Sequence, residues 1–330
     1  MQEINQIFKK IKNLAEIIND YIDENLTGET IHIWDAAKHY INAGGKRLRP
    51  FMVIKSYNLF ENDSERAIPV AAAAELFHTF TLIHDDIMDK DDIRRGVTSV
   101  HKKWGESVAI LSGDLLYALS FIFINKAIIP DRVKSKISYV LGKACIELCE
   151  GQTMDLDFEN RNDVKIPEYM EMVRLKTGSL FKACSYIGGL VGNANYEQLR
   201  SLEDYGENLG IAFQIVDDIL GLFADQGKLG KPVGSDLQAG KKTYLIIHAL
   251  DHLDHSDKNR LLKLLGQKTK SQEEIEECIG LIKKSGALEK AKELTRFYAE
   301  KTVESLDIFS KSDAKKDLES LAHLTVDRSF

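Results

Sequence analysis

The chain reads as all α-helical. Its 330 residues contain only five prolines, so long helices can run uninterrupted. Apolar residues recur at helical spacing along the chain, and strand signals are scarce. With 44% hydrophobic residues the chain can bury a sizeable core, and 29% charged residues suit a soluble surface. These observations predict a single domain over 1–330, a helical bundle around a deep central cavity.

From the N-terminus, residues 3 to 24 carry Ile4, Ile7, Phe8, Ile11, Leu14, Ile17, Ile18 and Tyr21 as an apolar stripe with lysines opposite. Lys, Glu and Asp are mixed into that stretch, which is not the pattern of a secretory signal. Residues 27 to 34 read as a link, and a helix over 35 to 43 runs into Gly44-Gly45-Lys46-Arg47-Leu48-Arg49-Pro50. Paired glycines let the backbone approach an anion; Lys46 and Arg49 supply a point charge and a planar fork, as a diphosphate needs. Arg47 is left out of that set.

The stretch from 70 to 96 organises the rest. An Ala-rich apolar helix ends in Asp85, Asp86, Asp89, Asp91 and Asp92, followed by Arg94-Arg95-Gly96. Asp85 and Asp89 stand one turn apart on one face, with Thr81 and His78 one and two turns back. Like charges at that spacing repel, so a cation belongs there. Oxygen ligands without cysteine suit a hard ion such as Mg2+, which favours one or two carboxylates plus substrate phosphates.

Residues 101 to 124 read as two helical pieces divided near Gly113, where Asp114 reads equally as a cap or a contact. Helices follow over 131 to 158, ending near Gln152 and Asp155, which read either as lining or bracing a pocket or as plain polar surface. The helix over 168 to 192 sets Lys176 and Thr177 in an apolar run. A second apolar helix, 205 to 225, ends in Asp217 and Asp218 with Gln214 one turn before, so two acid-tipped helices are expected to face one another across a pocket. The Gly- and Lys-rich loop after Asp225 reads as a lid. From 250 onward the chain reads as amphipathic helices without identifiable chemistry.

A net charge of −7 argues against a nucleic-acid partner, because such proteins usually show a basic domain or stripe. Cys145, Cys149, Cys184 and Cys278 lack metal spacing and are expected to be reduced thiols in the cytoplasm. No window is expected to reach the roughly 18 to 20 apolar residues of a membrane span.

Taken in order, these motifs resemble those of the trans-isoprenyl diphosphate synthases, the polyprenyl synthetases. The likeness runs from residue 35 to 250: Gly44 to Pro50, Asp85-Asp86-Ile87-Met88-Asp89 with Arg94-Arg95, Lys176-Thr177, Phe213-Gln214 with Asp217-Asp218, then Gly230-Lys231-Pro232. Phe80 and the compact first motif most resemble geranylgeranyl diphosphate synthases of archaeal type. The resemblance implies an isoprenoid-synthase-type bundle, a homodimer, and a prenyltransferase that joins isopentenyl diphosphate head-to-tail to an allylic diphosphate. It implies about three Mg2+ ions, with Mn2+ as the alternative, on Asp85, Asp86, Asp89, Asp217 and Asp218.

By the same resemblance, Lys46, Arg49, His78 and Arg95 hold isopentenyl diphosphate, and Arg94, Lys176, Lys231 and Lys241 hold the allylic diphosphate. Asp85, Asp89, Asp217, Lys176, Thr177 and Gln214 form the catalytic set, and Thr177 and Gln214 aim dipoles at a carbocation. Phe80 and Thr81 set chain length. Thr81 leaves room and favours a twenty-carbon product over the farnesyl and geranylfarnesyl alternatives. A terpene cyclase would not need the second cradle of Lys46, Arg49 and Arg95, a head-to-head condensing enzyme would lack this order of motifs, and a non-catalytic regulatory subunit would be expected to lose acids from the first. One departure stands out: Gly221 replaces the third acid of the second motif.

Overall fold

The computed structural model describes residues 2–29, 31–223, 234–267 and 269–327. The chain is all-α, as expected. In order come α1 (Gln2–Asn25), α2 (Ile31–Asn42), α3 (Leu48–Tyr57), α4 (Ile68–Met88), a two-strand hairpin of β1 (Ile93–Arg94) and β2 (Val97–Thr98), α5 (Val100–Trp104), α6 (Glu106–Lys126), α7 (Asp131–Glu159) and α8 (Ile166–Val173). A π-turn, Arg174–Gly178, leads into α9 (Ser179–Val191), and then follow α10 (Tyr196–Phe223), α11 (Ser235–Ala239), α12 (Tyr244–His252), α13 (His255–Leu265), α14 (Gln272–Lys284), α15 (Ala287–Glu304) and α16 (Asp313–Asp327).

The chain forms two compact units, interleaved in sequence. The first comprises Met1–Ala144, Leu180–Gly206 and Ser305–Leu321; the second comprises Cys145–Ser179, Glu207–Glu304 and Ala322–Phe330. Most of the boundaries fall inside helices, among them α7, α9 and α10.

In the first unit α4 is the axis. Ala71, Ala72, Ala73, Ala74 and Phe77 are all buried, and the small residues let α1, α3 and α6 pack against it. From α1, Ile7, Ile11, Ile18 and Ile22 form the buried face, whereas Phe8 and Ile17 are exposed. These two lie about 100° off the stripe, one residue from its members, so the expected face was too wide by two positions.

The division expected near Gly113 is absent, because α6 runs unbroken through it. Gly113 instead serves close packing: a Cβ there would stand 2.2 Å from the His84 ring. The break falls at Gly105, whose φ of 85° is open to glycine. Unbroken, α6 is long and apolar enough to cross a membrane by length and composition, against the expectation that no window would be. One face of it belongs to the core, where Leu116, Phe123 and Ile124 are buried, while the exposed Asp114 lies mid-helix on the other.

The second unit has its own core, in which Phe158 of α7, Tyr169 of α8 and Ile215 of α10 join Leu245 and Ile247 of α12, Leu264 of α13, Ile282 of α14 and Ala291 of α15. The amphipathic C-terminal helices thus back the helices that carry Lys176 and Asp217.

Candidate active site

Each unit carries one set of the residues singled out in the sequence. In the first, Asp89 caps the C-terminal end of α4, its backbone N–H donating to the carbonyl of Asp85 at 2.8 Å. The helix therefore keeps its form to the last acid, and Asp85 and Asp89 stand one turn apart, both partly exposed. Asp86, about 100° round the helix, is buried. Tyr40 of α2 donates to its Oδ2 and Arg94 Nε to its Oδ1 at 2.5 Å. Burial pushes the Asp86 carboxyl up, opposed by Arg94 and the Tyr40 hydroxyl. With both oxygens engaged, Asp86 braces the motif from inside, a different place from the one expected of a metal ligand beside Asp85 and Asp89.

The β1–β2 hairpin, which the sequence reading missed, pairs Ile93 with Thr98 and Arg94 with Val97. Its turn residues Arg95 and Gly96 both have positive φ, 52° and 76°, the signature of a type I′ turn. Arg94 lies within 3.7 Å of Asp85 and 3.6 Å of Asp91 besides its bond to Asp86, so it balances the acidic cluster itself. Arg95 Nη1 donates to the carbonyls of Tyr40 (2.8 Å) and Gly44 (2.5 Å).

Arg95 thereby meets the Gly44–Pro50 segment. Arg49 Nη1 lies 3.0 Å from His78 Nε2. Burial, then Arg49, Arg95, Arg94 and Arg47, hold the His78 ring well below the usual histidine range. The neutral ring must accept from Arg49 through Nε2, since a guanidinium only donates, which leaves the proton on Nδ1. Lys46 is exposed, and Arg47 is buried in an ion pair with Glu75 at 2.8 Å. Arg47 does face elsewhere, into the protein.

Phe80 is buried in an aromatic cluster. Its ring centroid lies 4.8 Å from Phe77, 5.2 Å from Tyr117 of α6 and 5.8 Å from His84, all nearly edge-on. Thr81 turns its hydroxyl back to the His78 carbonyl at 2.8 Å. Tyr117 was not singled out in the sequence; its place in a long apolar run gave no signal.

The second set is built on α7, α8, the π-turn, α10 and α11. The π-turn contains Lys176 and Thr177; such bulges inside helices often mark functional positions. Asp155 of α7 accepts from Lys176 Nζ at 2.6 Å and lies 3.7 Å from Lys241 Nζ, so one buried carboxylate gathers two lysines that the sequence named separately. Thr177 Oγ1 donates to Gln214 Oε1 (2.8 Å), Gln214 Nε2 donates to Asp218 Oδ1 (2.9 Å), and Tyr169 donates to Asp218 Oδ2 (2.6 Å). Like Asp86, Asp218 is the inward member of its pair, while Asp217 is partly exposed. Burial pushes Asp218 up to about 7 against the hydrogen bonds of Tyr169 and Gln214, with Asp236 and Asp217 adding repulsion.

Asp236 was also missed in the sequence. The Gly234 N–H donates to the Gly221 carbonyl at 3.0 Å, which docks α11 beside α10. A Cβ at Gly221 would stand 3.0 Å from Asp236 Oδ2, so the carboxylate of Asp236 adjoins the position of the acid that the second motif lacks. Lys231, with Gly230, Pro232, Asp225 and the first part of the expected lid, lies outside the described residues, whereas the later part of that loop, from Gly234, forms α11 and carries Lys241.

The outward carboxylates are hard oxygen donors in both units, Asp85 and Asp89 in the first and Asp217 with, near Gly221, Asp236 in the second. That fits Mg2+ better than a closed cage or a thiolate metal.

Comparison with known proteins gives one answer. A family model described as polyprenyl synthetase matches residues 31–282. The chain is 45% identical to the short chain isoprenyl diphosphate synthase of Methanocaldococcus jannaschii over 97% of this chain and 95% of that one. It is 43% identical to the geranylgeranyl diphosphate synthase of Sulfolobus acidocaldarius, over 99% of both. The crystal structure of geranylgeranyl pyrophosphate synthetase from Pyrococcus horikoshii superposes with a TM-score of 0.92 at 45% identity, covering 98% of each chain.

Proposed function

Because the chain belongs to the polyprenyl synthetase family, we propose that it is a prenyltransferase that condenses isopentenyl diphosphate head-to-tail with an allylic diphosphate and releases geranylgeranyl diphosphate. The observation that carries this reading is that a cationic cradle, Lys46, Arg49 and Arg95, accompanies the carboxylates Asp85 and Asp89 within one unit, as a reaction of two diphosphates requires.

Calcium accompanies isoprenyl diphosphate in the crystal structure of a polyprenyl synthase from Caulobacter crescentus that is 30% identical to this chain. Here Asp85, Asp89 and Asp217 would hold Mg2+, about three ions, with Asp236 supplying the carboxylate that position 221 lacks. When bound, the metal supplies the positive charge that lets the allylic carbon–oxygen bond break. Asp86 and Asp218 fix the rotamers of the helix ends through Tyr40, Arg94, Tyr169 and Gln214. Lys176 and Lys241, aligned by Asp155, grip the allylic diphosphate, and Lys231 joins them. Arg94 acts at one remove, through Asp86 and Asp85.

The double bond of isopentenyl diphosphate, held by Lys46, Arg49 and Arg95 with His78 orienting Arg49, attacks the allylic cation. The Thr177 hydroxyl oxygen and the Gln214 amide present dipoles toward that charge. The proton then lost passes to the released diphosphate, so no side chain is needed as base. Phe80, backed by Tyr117, and the small Thr81 set the length at twenty carbons.

We read residues 1–330 as one domain, since its units interleave within helices, and as half of a homodimer in the cytoplasm. Support for the dimer is the stripe Leu111, Leu115, Ala118 and Ile122 on α6; Leu111 and Ile122 are 55% and 52% exposed. Incubation with labelled isopentenyl diphosphate, Mg2+ and five-, ten- or fifteen-carbon allylic primers tests the reading. Geranylgeranyl diphosphate is expected from each primer, and an absence of incorporation that persists with all three overturns it.

A further inference from the structure

We propose that Glu75 is a positioning residue for the isopentenyl diphosphate cradle, tying together the two loops that present it; this rests on the functional reading above. Glu75 is on α4 and only 1% exposed. It holds Arg47 at 2.8 Å and stands 3.9 Å from Arg95 Nη2. One helical turn later on the same helix, His78 meets Arg49. One buried helix face therefore anchors Arg47 and Arg49 from the Gly44–Pro50 segment and Arg95 from the hairpin.

Two further hydrogen bonds converge on one carbonyl, and the one from Arg95 ties the hairpin to the Gly44–Pro50 segment. Arg47 Nη1 (2.9 Å) and Arg95 Nη1 (2.5 Å) both donate to the Gly44 carbonyl. Both arginines take left-handed backbone angles, φ 49° and 52°, which residues other than glycine adopt rarely and only where the surroundings impose it. Between them Gly45, at φ 136°, leaves no room for a side chain: a Cβ would lie 2.7 Å from the Arg95 guanidinium carbon and 2.9 Å from Arg47 Nη1. Two guanidinium groups this close repel unless a carboxylate lies between them. Burial and the neighbouring Arg47, Arg94 and Arg49 lower Arg95 to about 10, and Glu75 opposes them.

Without the Glu75 carboxylate, Arg47 and Arg95 lose their shared anchor on α4, whether or not the two guanidinium groups still face each other. Lys46, Arg49 and Arg95 then lose their shared register for the isopentenyl diphosphate. The carboxylates Asp85 and Asp89 and the Lys176 set lie outside these contacts, so the allylic substrate should be affected far less.

Steady-state kinetics with both substrates, alongside thermal unfolding, tests this on the full chain. Glu75→Gln should raise the KM for isopentenyl diphosphate by about tenfold or more, the scale of one charge-assisted hydrogen bond, and the allylic KM by less than about threefold. Glu75→Asp should recover part of the loss. Because Glu75→Gln strands a buried Arg47 and could prevent folding, the pair Glu75→Gln with Arg47→Met removes both charges and should restore thermal stability.

That double variant should still show the raised KM for isopentenyl diphosphate. If it instead binds isopentenyl diphosphate like wild type, Glu75 only neutralises Arg47 and the proposal fails. Equal rises in both KM values overturn it too. Wild-type turnover is the control: if wild type incorporates no isopentenyl diphosphate, the functional reading fails first and this inference with it.

Discussion

Replacing Phe80 with Ala tests the assignment of product length. The ring is buried among Phe77, Tyr117 and His84 at centroid distances of 4.8 to 5.8 Å, so its loss leaves a void that edge-packed rings cannot readily fill. Phe→Ala removes roughly 100 Å³, and at about 24 cal/mol per Å³ the cavity term alone comes to about 2.4 kcal/mol. Adding the transfer term puts the total near 3–5 kcal/mol. The same void can take one more isoprene unit, whose five carbons are worth about 4 kcal/mol of burial at about 0.8 per methylene.

The two magnitudes are comparable, so a growing chain should refill what the mutation opens. The expected result is a product mixture shifted one isoprene unit longer, toward twenty-five carbons. It would be read by reversed-phase chromatography of the dephosphorylated alcohols after incubation with labelled isopentenyl diphosphate. Thermal unfolding should show the lost stability in the free enzyme, with partial recovery when the longer diphosphate is added. An unchanged product beside a lowered melting temperature would make Phe80 a core residue only and refute the assignment.

Three other outcomes follow from the geometry. The His78 pKa is depressed in the folded chain, so the folded state binds fewer protons than the unfolded state below the ordinary value near 6.5. Its contribution to stability is therefore complete above that pH and falls as pH drops through 6.5, by at most about 1.4 kcal/mol per unit; His78→Gln should flatten the melting temperature between pH 5 and 6.5, and an unaltered slope would contradict the buried neutral ring. Tyr169→Phe removes the 2.6 Å bond to buried Asp218 and should cost about 1.5–3 kcal/mol by urea unfolding, with a loss under 0.5 kcal/mol counting against it. Asp236→Asn should weaken Mn2+ binding measured by calorimetry in the presence of diphosphate, and Gly221→Asp placed with Asp236→Ala should restore it; unchanged affinity in Asp236→Asn would remove Asp236 from the metal set.

Much of the site could be read from helical spacing. Asp85 and Asp89, Gln214 and Asp217, and Lys176 with Thr177 are relations within one helix or one turn, fixed by 3.6 residues per turn wherever the chain folds. The inward turn of Asp86 and Asp218 could not be read that way. Both follow Asp85 and Asp217 by one residue, and only the burial of each helix against Tyr40 or Tyr169 says which of the two acids faces the protein. The hairpin escaped because its turn is Arg95-Gly96 rather than Asn-Gly, and its strands are two residues each. Gly113 misled because a glycine that admits a neighbour is indistinguishable in sequence from one that ends a helix.

Sequence by itself determined the all-helical class, the order of the acidic and basic motifs, and hence the chemistry of two diphosphates and a hard metal. Tertiary structure alone decided the partners. Glu75 with Arg47 is a contact across 28 residues, Tyr40 with Asp86 across 46, Tyr169 with Asp218 across 49, and Asp155 with Lys176 across 21. Backbone periodicity governs what is near within a helix. Such distant pairings are selected by burial, since a charge removed from water must find its opposite wherever packing of the core has brought one.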